Sequence, residues 1–207
     1  MNTAYTSDDP ENISDGRLRK GEQRRRLLVN ATMDVITNEG VTAVSQRRVA
    51  AEAGVPPSTV TYYYATIDDL LVDALTRVNN AYVAVVEGLP EDPDEALRGF
   101  ATLIAEGVGP DRAHALAEME LFLLAARRPA LGEQVDCWYD AVDAFFALYL
   151  PDPAARAGVI AASDGYLLRC CVMEPPPSAD EVYRALRRLI DRERDAGTTP
   201  ASPSAPV

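Results

Sequence analysis

Apolar residues recur at helical spacing along most of this chain, and glycine or proline clusters cut that pattern into segments too long for strands. Leu28, Ala31, Thr32, Val35 and Ile36 mark one face of a first helix that Gly40 stops. Ser45 can cap a second, "QRRVAAEA", ending at Gly54, and a third starts at "PP" and runs to about Tyr64. Thr66 caps a long fourth helix, with Asp68 and Asp69 placed where carboxylates favour the helix dipole, continuing to Gly88. Five more are predicted over Asp94–Gly107, Arg112–Arg127, Ala130–Leu150, Pro153–Met173 and Ala179–Asp195, separated by "LPEDPD", "GVGPD", "RRP", "PDP" and "EPPPS". The expected class is therefore all-α, with about nine helices and no internal repeat.

Of the 207 residues, 47% are apolar and 25% charged, enough for a sizeable buried core. The net charge of −12 argues against a polyanion partner until its distribution is read. Residues 16–66 hold eight cationic and four anionic side chains, a local charge of +4 beside an acidic remainder. Three cysteines, Cys137, Cys170 and Cys171, follow neither a disulfide nor a metal-ligand spacing, so a reducing, cytoplasmic setting is expected. No apolar run reaches membrane-spanning length and the start is not a signal peptide. Residues 1–16 and 196–207 are polar or Pro/Ser/Thr-rich and read as disordered tails.

The stretch "RRVAAEAGVPPSTVTYYYATIDDLL" carries the functional signal. Val49, Ala50 and Ala53 are expected to face inward, Gly54 to make the turn, and Val55 and Val60 to anchor the third helix on the second. The small alanines allow a close crossing. Ser58, Thr59, Thr61, Tyr62 and Tyr63 are left near the front of a short helix, where hydroxyls and phenols can meet phosphates and base edges. The pattern is that of a helix-turn-helix with its recognition helix exposed. A helical hairpin with its tyrosines packed beneath the fourth helix is the structural alternative, and Tyr64 is expected to pack there in either case.

On these residues the chain resembles the TetR family of transcriptional regulators. "RRRLLVNATMDVITNEG", "VSQRRVAAEAGV", "PPSTVTYYY" and "ATIDDLL" match the family's first three helices and the entry to its fourth; "AARRPAL" and "ASDGYLL" resemble looser elements of the larger domain. The resemblance implies a DNA-binding domain over residues 17–66 and a ligand-binding and dimerisation domain over 67–195. It implies that Ser45, Gln46 and Arg47 meet the DNA backbone or a groove edge, that Thr59, Thr61, Tyr62 and Tyr63 face the groove, and that Thr66 presents the fourth helix to phosphate. Thr61 stands where tyrosine is common, Tyr63 where histidine is common and Ile67 where a phosphate-contacting lysine is usual. The segment "GRLRKGEQRRR" offers Arg17, Arg19 and Lys20 as a flexible arm along the backbone or in a minor groove, or as a solvated arginine face.

The family pattern further implies a homodimer built on the last two helices, a near-palindromic double-stranded operator and release by a small-molecule effector. Tyr82, Phe100, Glu118, Met119, Phe122 and Trp138 are candidate pocket residues, although apolar stripes of this kind are more often plain core. One of Glu118 and Glu120 is expected to be partly buried, where it could meet a cationic ligand or, the favoured reading, salt-bridge an arginine, and His114, near a helix start, is expected to be exposed. An enzyme is not expected: the chain has a single histidine and none of the common nucleotide, zinc-hydrolase or serine-hydrolase motifs. Nothing points to a cofactor or a metal. An all-helical dimeric interaction module that has lost DNA binding is the alternative reading.

Overall fold

The computed structural model describes residues 16–107 and 111–198, so most of the two predicted tails lies outside the described residues. Among the described residues nine α-helices and three 3-10 turns follow in order. They are α1 (Gly16–Glu39), a turn at Val41–Ala43, α2 (Gln46–Glu52), α3 (Pro57–Tyr63), α4 (Ile67–Glu87), α5 (Pro93–Glu106) and α6 (Arg112–Leu124). Two turns, Ala125–Arg127 and Pro129–Leu131, then lead into α7 (Gly132–Ala147), α8 (Pro153–Val172) and α9 (Ala179–Thr198). There is no strand among the described residues, and the fold is all-α, as its periodicity dictates.

The caps explain the boundaries. Ser45 Oγ accepts from the Arg48 amide at 3.2 Å and opens α2. Thr66 Oγ1 accepts from the Asp69 amide at 3.1 Å while the Asp69 carboxylate accepts from the Thr66 amide at 2.9 Å, a reciprocal cap that starts α4. Gly40 ends α1 at φ 83°, in the left-handed region that penalises a side chain. Two predicted helices are shorter than expected: "AARRPAL" takes 3-10 geometry on both sides of Arg128, because Pro129 cannot donate to an α-helical ladder.

The chain forms two compact units, residues up to Glu87 with 107–140, and residues 88–106 with 141 onward. In the first, Leu28, Met33 and Ile36 of α1 meet Val49 and Ala50 of α2, Val60 and Tyr64 around α3, Leu70, Leu71 and Leu75 of α4, and Leu121 of α6 in one core. Polar ties lock it. Arg77 of α4 reaches Glu22 of α1 at 2.7 Å and Asp73 at 3.1 Å, and Asp73 also accepts from the Tyr64 hydroxyl. Tyr64 packs as expected.

In the second unit Phe100 of α5 stacks on Phe145 with centroids 4.7 Å apart and meets Phe146 edge-on at 5.2 Å. Val182, Leu186 and Ile190 give α9 a fully buried stripe, and Tyr149 donates to the Pro93 carbonyl at 2.7 Å. Cys170 and Cys171 are buried in α8, as packing residues should be.

Candidate nucleic-acid interface

Two seven-residue helices, α2 and α3, cross at Gly54, whose φ of 63° makes the turn. The Gly54 amide donates to the Ala51 carbonyl at 3.2 Å and the Val55 amide to the Ala50 carbonyl at 3.0 Å, so α2 closes on itself before the chain reverses. Pro56, extended at ψ 144°, and Pro57, the first residue of α3, fit here at no hydrogen-bond cost, because the first amides of a helix lack intrahelical partners. With Val49, Ala50 and Val60 buried, the other face of α3 is presented outward.

That face carries the predicted groove set. Tyr62 is 82% exposed, Thr61 is exposed, and Thr59 and Tyr63 are half-buried at its edges. The Thr61 hydroxyl donates to the Ser58 carbonyl at 3.1 Å, a bond within the helix that leaves its methyl and oxygen lone pairs outward. Tyr62 and Tyr63 are not sealed in the body of the protein. Tyr62 and Tyr63 meet edge-on with centroids 5.0 Å apart. Burial first, and then the bond to Asp73, push the Tyr64 phenol well above its ordinary range, so Tyr64 stays protonated as an anchor.

On α2, Ser45 and Arg47 are exposed. The half-buried Gln46 points its amide at the carbonyls of Tyr64 and Ala65, both at 3.4 Å, and braces the end of α3. Arg48 is held by Glu39 at 2.6 Å and Glu52 at 2.7 Å. Thr66 is exposed, with its hydroxyl engaged in the cap of α4. Arg17, Arg19 and Lys20 lie in the first turns of α1 rather than on an extended arm, and Arg19 and Lys20 are exposed there. The helix runs back through "GRLRKGEQ" because those long side chains favour it even without an apolar face. Arg25, which the sequence did not single out, stands with its guanidinium carbon 5.8 Å from the Tyr63 ring centre and 5.1 Å from that of Tyr64.

The candidate effector residues divide between the units. In the first, the buried Glu118 of α6 accepts from the Tyr82 hydroxyl at 2.7 Å and pairs with His114 Nε2 at 3.4 Å. His114 is therefore buried and not exposed as expected, and a histidine takes the place foreseen for an arginine; both side chains lie one helical turn apart on the inner face of α6. Tyr82 meets the buried Trp138 edge-on at 5.7 Å, Phe122 meets Tyr139 at 6.0 Å, and Met119 is half-buried. Phe100 belongs to the core of the second unit. Among the described residues no group of three or more His, Cys, Asp or Glu could hold a metal ion, and no helix is long and apolar enough to cross a membrane.

A glycine-turned pair of short helices whose second helix exposes hydroxyl and phenol side chains, in an otherwise helical chain, is the arrangement of a helix-turn-helix regulator. The family model described as "Bacterial regulatory proteins, tetR family" matches residues 28–74, and "Tetracyclin repressor-like, C-terminal domain" matches residues 91–192. A TetR-family member from Streptomyces coelicolor A3 is 35% identical, with a TM-score of 0.72, over 81% of this chain and 98% of that one. The multidrug binding protein EbrR complexed with ethidium is 35% identical, with a TM-score of 0.68, over 80% of this chain and 98% of its own. The HTH-type transcriptional regulator PksA of Bacillus subtilis (strain 168) is 32% identical over 77 residues, 34% of this chain, and the match spans 38% of that protein. The chain belongs to the TetR family of transcriptional regulators.

Proposed function

We propose that the protein acts in the cytoplasm as a homodimeric repressor, without catalytic activity, that binds a near-palindromic operator and leaves it when a small molecule occupies the larger domain. The outward presentation of Tyr62 on α3, with Thr61 beside it and Thr59 and Tyr63 at the edges, carries the DNA-binding part of this reading. In it these side chains read the major groove, while Ser45, Arg47 and Thr66 meet the backbone, with Arg17, Arg19 and Lys20 adding charge from α1. Gln46, which also braces the end of α3, stands beside Arg47 for the same backbone. Two such heads on one dimer lie about 34 Å apart, one turn of duplex, which favours a palindrome.

The dimer is supported by α8, whose exposed face carries Ala157, Ala161, Gly165, Leu168 and Val172 at successive helical turns. For the effector, the buried Glu118, bonded to Tyr82 whose ring meets Trp138, favours a flat cation, with Met119 and Phe122 as further candidate wall. The complexes of EbrR with ethidium, malachite green and proflavin support the same chemical class. Because α4 follows the recognition helix directly through Thr66, a shift of α4 on effector binding displaces the reading head, and operator and effector weaken each other by one common factor.

Fluorescence anisotropy of DNA from upstream of the protein's own coding sequence, at two salt concentrations, tests the core of the reading. A tight, salt-sensitive, sequence-selective complex is expected. Absence of all three leaves only an interaction module.

A further inference from the structure

The three consecutive tyrosines of the reading head form an ordered series that begins in the core and ends in solvent. Tyr64 is 2% exposed and fixed through its hydroxyl to Asp73. The Arg25 guanidinium lies within cation–π range of both Tyr64 and the half-buried Tyr63. Tyr63 in turn meets Tyr62 edge-on, at an interplanar angle of 83°, and Tyr62 stands free on the surface.

The three adjacent arginines of α1 point in different directions, as helical geometry requires. Arg24 is exposed, and Arg26 turns back to Glu22 at 3.3 Å. Only the middle one, Arg25, meets the tyrosine rings. Tyr63, the last residue of α3, packs in part against the core of the first unit, and Arg25 of α1 is placed to hold its ring from outside α3.

We propose that Arg25 is a positioning residue for DNA recognition: seated on the rings of Tyr63 and Tyr64, it fixes Tyr63, and through it Tyr62, in the orientation that α3 offers to the duplex. The proposal rests on the DNA-binding reading above and deepens it. The planar guanidinium is essential, because it lies within reach of both rings at once, 5.8 and 5.1 Å from their centres, which the compact ammonium of lysine cannot match. Pre-ordering Tyr63 lowers the conformational cost of binding, and losing a contact of this kind at a partly exposed site weakens the dependent step roughly two- to fivefold. A rival role, direct contact with a phosphate, needs the charge alone.

The two roles separate in one experiment on the full-length chain. The probe is a duplex enriched by the wild-type protein from a randomised pool of 30-base-pair duplexes, with affinity read by anisotropy over a series of salt concentrations. Arg25→Lys and Arg25→Met are each expected to bind about three- to fivefold more weakly, with the wild-type slope of log affinity against log salt. Neither change should weaken binding further when placed on Tyr63→Leu. Full affinity of Arg25→Lys, a slope reduced by about 0.9 in Arg25→Met, or additive effects of Arg25→Met and Tyr63→Leu overturns the proposal. Should Arg25→Met lose its fold by circular dichroism, Arg25→Lys with Tyr63→Leu completes the same cycle. Enrichment of no sequence at all sinks the DNA-binding reading and this proposal with it, whereas enrichment without coupling sinks only the role of Arg25.

Discussion

The Val41 amide donates to the Glu120 carboxylate across 2.8 Å, and this bond fastens α6 to the turn that delivers the chain into α2. Two residues earlier on the same helix, Glu118 accepts from Tyr82 of α4. One helix thus presents carboxylates in two directions, one to the entry of the reading head and one to the helix that leaves it. In the proposed mechanism a displacement of α6 would act on both at once, giving an effector near Glu118 two routes to the proposed DNA-binding residues.

Removing the Glu120 carboxylate orphans the half-buried Val41 amide. Glu120→Ala should therefore lower stability by about 1.5 to 3 kcal/mol, the usual range for a lost hydrogen bond to a charged group. Glu120→Gln keeps an acceptor and should lose less. Urea unfolding midpoints at constant slope report both, and equal midpoints for all three proteins would show that the bond contributes nothing.

His114 gives the first unit a pH dependence. Its hydrogen bond to Glu118 raises the imidazole above its ordinary value; burial works against that rise, and the carboxylates of Glu118, Asp111 and Asp34 add to it. The folded form thus holds the proton more tightly than the unfolded one. Stability from this source is fully present below the ordinary histidine value of 6.5 and declines as pH rises through the higher folded value. Between pH 6 and pH 8 the wild-type protein should lose stability relative to His114→Gln, measured as the difference in urea midpoints. Parallel curves for the two proteins would mean that His114 is neutral in the fold.

The helices were legible because their ends are chemically marked. Ser45, Thr66, Asp111 and Asp152 cap as their types suggest, and glycines or prolines close most of the other ends. What escaped depends on contacts distant in sequence. His114 looked exposed from its place near the start of α6, although the four-residue step to Glu118 was a usable sign of pairing. Arg47 and Arg48 are indistinguishable by type and position, yet only Arg48 has Glu39 within reach across nine residues. Arg25 on Tyr63 joins residues 38 positions apart, and no periodicity records such a contact. At the start of α1, a stretch without an apolar face read as an arm because its helicity comes from propensity and not from packing.

The difference between Arg47 and Arg48 makes a sharp test of the proposed backbone contacts. Arg47 is exposed on α2, whereas Arg48 is held between Glu39 and Glu52. Arg47→Ala should weaken operator binding across sequences and reduce the slope of log affinity against log salt by about 0.9, the signature of one lost phosphate contact. Arg48→Ala should leave the slope unchanged and lower the urea midpoint instead. Equal slopes for wild type and Arg47→Ala would remove Arg47 from the interface.

The α8 face supplies the corresponding test of assembly. Ala157, Ala161 and Gly165 bring small side chains to successive turns of one exposed stripe, and Leu168 and Val172, 50% and 61% exposed, continue it. Small residues let a second helix approach closely, and exposed leucine and valine supply apolar area to bury against it. A carboxylate introduced at Ala161 would be desolvated in such a contact with no partner to compensate it. Ala161→Glu should therefore weaken dimerisation by at least about 100-fold, read by sedimentation equilibrium, because each 1.4 kcal/mol is a factor of ten and an unpaired interfacial charge costs several. Ala161 is exposed within the single chain, so the variant should keep its helical circular dichroism. Operator affinity should fall with the dimer, since one reading head contacts only half of a palindrome. A folded variant that remains a dimer at the wild-type constant would place the subunit contact on another face.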